Sequence, residues 1–245
     1  MIKLKNLLKE AGSSTERQET AFIVAVNDAV EKYGGPITLK TSGKAIKKVL
    51  KASKYIGRAS SGSEPYTDVQ IETAVKIYNI SMKGPSAPSL AGGGLRGIEA
   101  IIPDLATNFL QAALKNHLKR GLKVGDKVPD TFGKLNDKDK KILVIGNASM
   151  GGPIDFMYIG PMSVATTYKR GTLTVSGKLI DVSVYAKNHD LYLRLRARRI
   201  DQTFDPNAVD TKGRPKIYSK SPSKGDSAGR IVVMDRATSG KLITF

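Results

Sequence analysis

Apolar residues recur at helical spacing through Ala21, Phe22, Ala25, Val26, Ala29 and Val30, which predicts a helix from about Thr15 to Tyr33 with one buried face. Ser13 stands three residues before Glu16, the spacing of a capping box, and Gly34-Gly35-Pro36 supplies a stop. Upstream, Ile2, Leu4, Leu7 and Leu8 suggest a short docking segment over residues 1–12. A second, basic helix is expected over Lys44 to Tyr55. A Ser/Gly-rich loop, Arg58 to Pro65, then leads into two strands, about Tyr66 to Glu72 and Val75 to Lys83. The Pro/Ser/Gly-rich stretch Gly84 to Gly94 is a loop, and Ile98 to Leu122 reads as one or two helices bent at Pro103.

Beyond Lys141 the pattern changes. Ile142 to Ile145 reads as a buried strand and Gly146 to Pro153 as a tight loop. Three further strands are expected at Gly171 to Val175, Ile180 to Tyr185 and Leu191 to Ile200, with hairpin turns at Gly177-Lys178 and Asn188-His189-Asp190. Gln202 to Ala228 is a polar, basic loop or flap, and Arg230 to Met234 and Lys241 to Phe245 are short closing strands. The pattern predicts an α/β fold: a mixed central sheet flanked by helices, with a β-rich C-terminal half. After the docking segment, residues 13–245 are expected to form one domain, with halves at 13–125 and 126–245.

Charge narrows the partners. Forty Lys and Arg oppose 22 Asp and Glu in 245 residues, a formal net charge of +18. Such an excess attracts polyanions, so nucleic acid, DNA above all, is the expected partner, with an acidic protein as the alternative. A membrane surface is not expected, because no helix carries aromatic anchors along one face. The absence of cysteine excludes disulfides, thiolate nucleophiles and Cys-type zinc sites. Only His117 and His189 are available for a His-based site. No apolar run approaches the ~18 residues of a membrane span. Lys3, Lys5 and Lys9 interrupt the N-terminus, which does not read as a signal peptide, so a cytoplasmic location or a particle assembled there is expected.

The stretch from Glu64 to Gly84 holds the candidate chemistry. Strand alternation puts Asp68, Gln70 and Glu72 on one face, and Ser81 and Lys83 on one face of the next strand. A hairpin turning near Thr73-Ala74 sets Asp68 opposite residues 80–82 and brings a carboxylate and a lysine to one end of a ribbon. The plainer reading of the pair is a cross-strand ion pair in solvent. The order of helix with Glu, strand with Asp, strand with Lys, Gly/Ser loop and helix, over about residues 15–122, resembles the PD-(D/E)XK, or restriction-endonuclease-like, superfamily. The resemblance implies Mg²⁺-dependent phosphodiester hydrolysis, with Asp68 as metal ligand and Lys83 as the lysine that orients the attacking water. Ser81 stands where that family carries its second acid, giving S-M-K in place of E-x-K. Glu19, at the edge of the first helix's apolar stripe, is then the expected second acid and metal ligand, with Glu72 or Glu64 in reserve, against the plainer reading of Glu19 as a solvated first-turn acid near the helix N-terminus.

Leu191 to Ile200 alternates apolar residues with Arg194, Arg196 and Arg198. With Arg199, Lys212 and Arg214 these form a candidate phosphate-tracking face, against the plainer reading of a solvated sheet face. Gly92-Gly93-Gly94 and the loop at 146–152 lack the Gly-Lys-Ser/Thr of a P-loop, and no G-x-S-x-G marks a hydrolase elbow. His117 is expected at the surface, in a basic helix end. The Cys-free, Trp-free, very basic composition is similar in style to tailed-phage proteins. The alternative to an endonuclease is thus a non-catalytic DNA-binding or virion protein of the head-completion or neck type, with homo-oligomer or virion assembly as a further expectation.

Overall fold

The computed structural model describes residues 14–58, 64–85, 94–217, 231–235 and 240–245. The expected docking segment, most of the loop at 84–94 and the later part of the basic stretch at 202–228 lie outside the described residues. The chain is α/β and divides into two compact units whose sequences interleave. The first takes residues 1–59, 65–87 and 145–185, and the second takes 60–64, 88–144 and 186–245. The division expected at 125/126 falls inside the second unit.

The first unit is a helix on a mixed eight-stranded sheet. Helix α1 (Ser14–Tyr33) ends as its sequence requires: Gly34 takes φ 74° and donates its N–H to the Val30 carbonyl. Strands β1 (Ile37–Lys40), β2 (Ala45–Lys54), β3 (Val69–Thr73) and β4 (Ile77–Lys83) follow as an antiparallel run. The β3–β4 hairpin has the expected register, with Val69 opposite Ile80 and Glu72 opposite Ile77. After a long excursion come β7 (Phe156–Ile159), β8 (Thr166–Lys169), β9 (Thr172–Val175) and β10 (Lys178–Asp181). The order is β10-β7-β4-β3-β2-β1-β9-β8, with β7 parallel to β4 and β9 parallel to β1. Phe22 and Val26 of α1 are fully buried with Leu39, Val49, Val69, Ile71 and Ile80 of the sheet.

The segment expected as a basic helix at 44–55 is strand β2. Its buried residues, Ile46, Val49 and Ala52, recur every three positions because two register shifts interrupt the strand. Leu39 and Ile37 of β1 face Ile46 and Val49, so two steps of β1 match three of β2. A second shift against β3 falls between Val49 and Lys51. Bulges thus convert a strand's period of two into a spacing that imitates a helix. Beyond β1, the backbone of Ala52 is met by a side chain. Its N–H donates to Asn27 Oδ1 (2.8 Å) and its carbonyl accepts from Asn27 Nδ2 (3.0 Å).

The second unit contains α2 (Gly94–Ile101), α3 (Leu105–Lys119), β5 (Lys127–Val128), β6 (Thr131–Lys134), α4 (Asp137–Ile145), β11 (Tyr192–Leu195), β12 (Arg198–Arg199), β13 (Ile231–Met234) and β14 (Lys241–Ile243). Its main sheet runs β13-β11-β6-β14. The helical reading of 98–122 divides near Pro103, where Asp104 adopts φ 64°. Ile142 to Ile145, expected as a strand, is the end of α4. Asn136 accepts the Asp139 N–H (2.8 Å), and Asp137 and Asp139 sit in the first turn, where the helix dipole favours acids. The strand expected at 180–185 stops at Asp181, whose carboxylate accepts the Val184 N–H (3.0 Å) and starts α5 (Val182–Asn188). Neither expected turn joins a hairpin, since β10 pairs with β7 and α5 precedes β11. The strand expected at 191–200 breaks into β11 and β12 where Asp130 draws the Ala197 N–H (2.6 Å).

His117, expected at the surface, is 2% exposed on α3, with Nε2 3.1 Å from Thr131 Oγ1. Burial, reinforced by Arg120, lowers its pKa from 6.5 to about 4. The unfolded chain therefore binds this proton at a pH where the folded chain does not, and stability falls as pH drops from about 6.5 to about 4. The loss is about 3 kcal/mol. His117→Gln should flatten that pH dependence in urea denaturation run between pH 7 and 4. Asn27→Ala leaves both backbone groups of buried Ala52 without their partner and should cost about 2–4 kcal/mol in the same assay.

Candidate functional site

Packing of α1 on β1, β2 and β4 carries its early residues to the ends of the central strands. Gln18 is fully buried there, and its amide nitrogen lies 2.8 Å from the Gly160 carbonyl, 3.1 Å from that of Pro161 and 3.4 Å from that of Lys83. Gln18 ties the helix to the last residue of β4 and to the chain leaving β7. Next to it, Glu19 is 7% exposed and pairs with Lys54 Nζ at 3.4 Å, at the end of β2.

Asp68 immediately precedes β3. Its Oδ2 accepts the Met82 N–H (2.6 Å) and the Ser81 hydroxyl (3.2 Å), so the side chain clips the start of β3 to β4. The Tyr55 N–H donates to its carbonyl (3.0 Å), joining the chain just after β2 to the same point. Glu19, Lys54, Asp68 and Ser81 thus meet from four elements or their immediate ends. Burial raises the Glu19 pKa first, the nearby Asp68 carboxylate raises it further, and Lys54 opposes both. Two acids are held close enough to repel, with one of them withdrawn from water.

The structure brings together three of the four residues expected in the active site: Asp68, Glu19 and Ser81. Lys83 ends β4 two residues beyond Ser81, on the same strand face, is half-buried and makes no ion pair among the described residues. Of the reserve acids, Glu72 is exposed opposite Lys51 and Glu64 is exposed in the second unit. Among the described residues no group of three or more His, Asp or Glu is placed to hold a metal ion. Asp68 and Glu19 are the two acids that approach one another at this point, and Mg²⁺ commonly takes one or two carboxylates and completes its shell with water and phosphate oxygens.

The arginine face is differently disposed than its alternation suggests. Arg194 places Nε and Nη2 on Asp130 Oδ2 at 2.9 and 2.5 Å, and Arg214 pairs with both Glu99 (2.6 Å) and Asp210 (2.5 Å). Both arginines brace the second unit. Arg196, Arg199 and Lys212 are exposed and Arg198 is half-buried. Lys54 and Gln18 carry no signal in the sequence, because nothing local separates Lys54 from the other 39 Lys and Arg or marks Gln18 as a core residue.

No protein-family model, curated protein or solved structure matches the chain. Among the described residues no helix is long and apolar enough to cross a membrane.

Because burial and Asp68 both penalise ionised Glu19, Glu19→Gln should raise the melting temperature at pH 7. The folded-state pKa lies above the unfolded one, so wild type recovers this loss on acidification, and the two melting temperatures should converge as the carboxyl protonates. A destabilised Glu19→Gln at pH 7 would show that the acid serves the fold through Lys54.

Proposed function

We propose that the chain binds DNA and hydrolyses its phosphodiester bonds at the Asp68–Glu19 site, as a restriction-endonuclease-like scaffold would. The observation that carries the reading is the meeting of Asp68, Glu19 and Ser81, which are 13 to 62 residues apart in the sequence, at the shared end of α1, β3 and β4. Supporting it are the expected β3–β4 register, the parallel β7 beside β4 and the formal charge of +18.

In this reading Asp68 and Glu19 hold Mg²⁺, which when bound offsets phosphate charge and lowers the pKa of a water. The chain's own contributions are separable. Asp68 is oriented by the Met82 N–H and the Ser81 hydroxyl, so Ser81 positions the first acid while Glu19 takes the place of the second. Lys83, fixed at the end of β4, is the cation for the attacking water or the scissile phosphate. Lys54 neutralises Glu19 and keeps two neighbouring acids compatible with folding.

The test is nicking of supercoiled plasmid across Mg²⁺ and Mn²⁺. Wild type should nick; Asp68→Asn, which keeps an acceptor for Met82 and Ser81, and Lys83→Ala should each lose at least about 10²-fold in rate. Absence of any nicking that Asp68→Asn removes overturns the enzyme reading. A non-catalytic DNA-binding or virion role then takes its place, with Asp68 serving as the clip between β3 and β4.

A further inference from the structure

Strand β2 carries lysines at positions 47, 48, 51 and 54, with Lys44 just before it. Lys54 is used by Glu19. The other four are exposed and make no ion pair among the described residues. A regular strand would turn one of two consecutive lysines into the core. Here the register shift against β1 leaves Lys47 and Lys48 both in solvent while Ile46 and Val49 stay buried on either side. The second shift does the same for Leu50 and Lys51.

The backbone is held in an unfavourable conformation to do this. Lys48 has φ 56°, a left-handed geometry that a long side chain rarely adopts, and its carbonyl is pinned by the Ala74 N–H (3.1 Å). Glycine would take that conformation without strain, yet the position carries a cation. Bulges re-aim side chains, and strained backbone is retained where the surroundings or a function require it. The gaps between successive lysines are three, one, three and three residues, so the row repeats at roughly 10 Å along the strand with one adjacent pair in it. They are point charges on flexible stems, suited to successive phosphates and without means of reading bases.

We infer that the bulged face of β2 is the principal phosphate-backbone surface of this protein and grips duplex DNA without sequence preference. This rests on the DNA-binding part of the proposed function and moves the contact from the arginines near β11 to the first unit, on the strand whose far end, Lys54, reaches the candidate site.

Binding is measured by fluorescence anisotropy on two unrelated duplexes in EDTA, where cleavage cannot contribute, from 50 to 300 mM salt. The triple variant Lys47→Ala/Lys48→Gly/Lys51→Ala should lose roughly tenfold or more in affinity at low salt on both duplexes. Its log–log salt slope should be shallower by about 2–3, near 0.9 per lysine removed. Lys48→Gly alone should lower the slope by about 1 while leaving the melting temperature equal or higher, since the left-handed strain is relieved. An unchanged slope in a folded triple variant overturns the inference. So does a loss found instead in Arg196→Ala/Arg199→Ala/Lys212→Ala, or binding of phosphatidylserine vesicles with none of DNA. Failure of the nicking assay leaves this measurement standing, because binding in EDTA does not require an active site.

Discussion

Two hydrogen bonds between the Asn27 side chain and the backbone of Ala52 set the geometry of the first unit. Strand β2 runs on past its partner β1, and without another partner that edge would bury an unpaired N–H and C=O. By supplying both, Asn27 fixes α1 along the strand as well as against it. Glu19 lies eight residues earlier on the helix, about 12 Å at 1.5 Å per residue, and Lys54 lies two residues later on the strand. The ion pair between them, and the approach of Glu19 to Asp68, follow from that placement.

At the other side of the same point, Asp68 performs two tasks with one carboxylate. It joins β3 to β4 through Met82 and Ser81, and it stands close enough to Glu19 to oppose its ionisation. Proximity of two acids, one buried, works against stability at neutral pH. A fold selected for stability alone has simpler ways to fill that space, and such unfavourable pairs are concentrated at functional sites. Ser81 fits this arrangement: a third acid beside Asp68 and Glu19 would deepen the repulsion, whereas its hydroxyl donates to Asp68.

Legibility in the sequence followed how local each determinant is. Helix α1, its glycine stop and the β3–β4 register were readable, because a single-period stripe and a short turn determine them. Alternation and helical phase locate Asp68, Ser81 and Glu19 on their elements, while their grouping into one site comes from the family resemblance. The pattern of strand β2 imitates a helix because its bulges are matched to β1 and β3, and neither partner leaves a mark within 44–55. Arg194 and Arg214 alternate or cluster as a nucleic-acid face would, but Asp130, Asp210 and Glu99 claim them, two of these acids being 64 and 115 residues away. His117 sits in a basic stretch, and only the packing of α3 against β6 shows that it is buried.

The interleaving of the two units has a consequence for synthesis. Strands β1 and β4 acquire their outer neighbours, β9 and β7, only from the third stretch of the first unit, residues 145–185. Between the second and third stretches the ribosome must make residues 88–144, which takes roughly 3–12 s at about 5–20 residues per second. Over that interval the nascent four-stranded ribbon presents two unpaired edges. The lysine row of β2 lies inside that ribbon, between β1 and β3, so closing its two edges falls to β7 and β9.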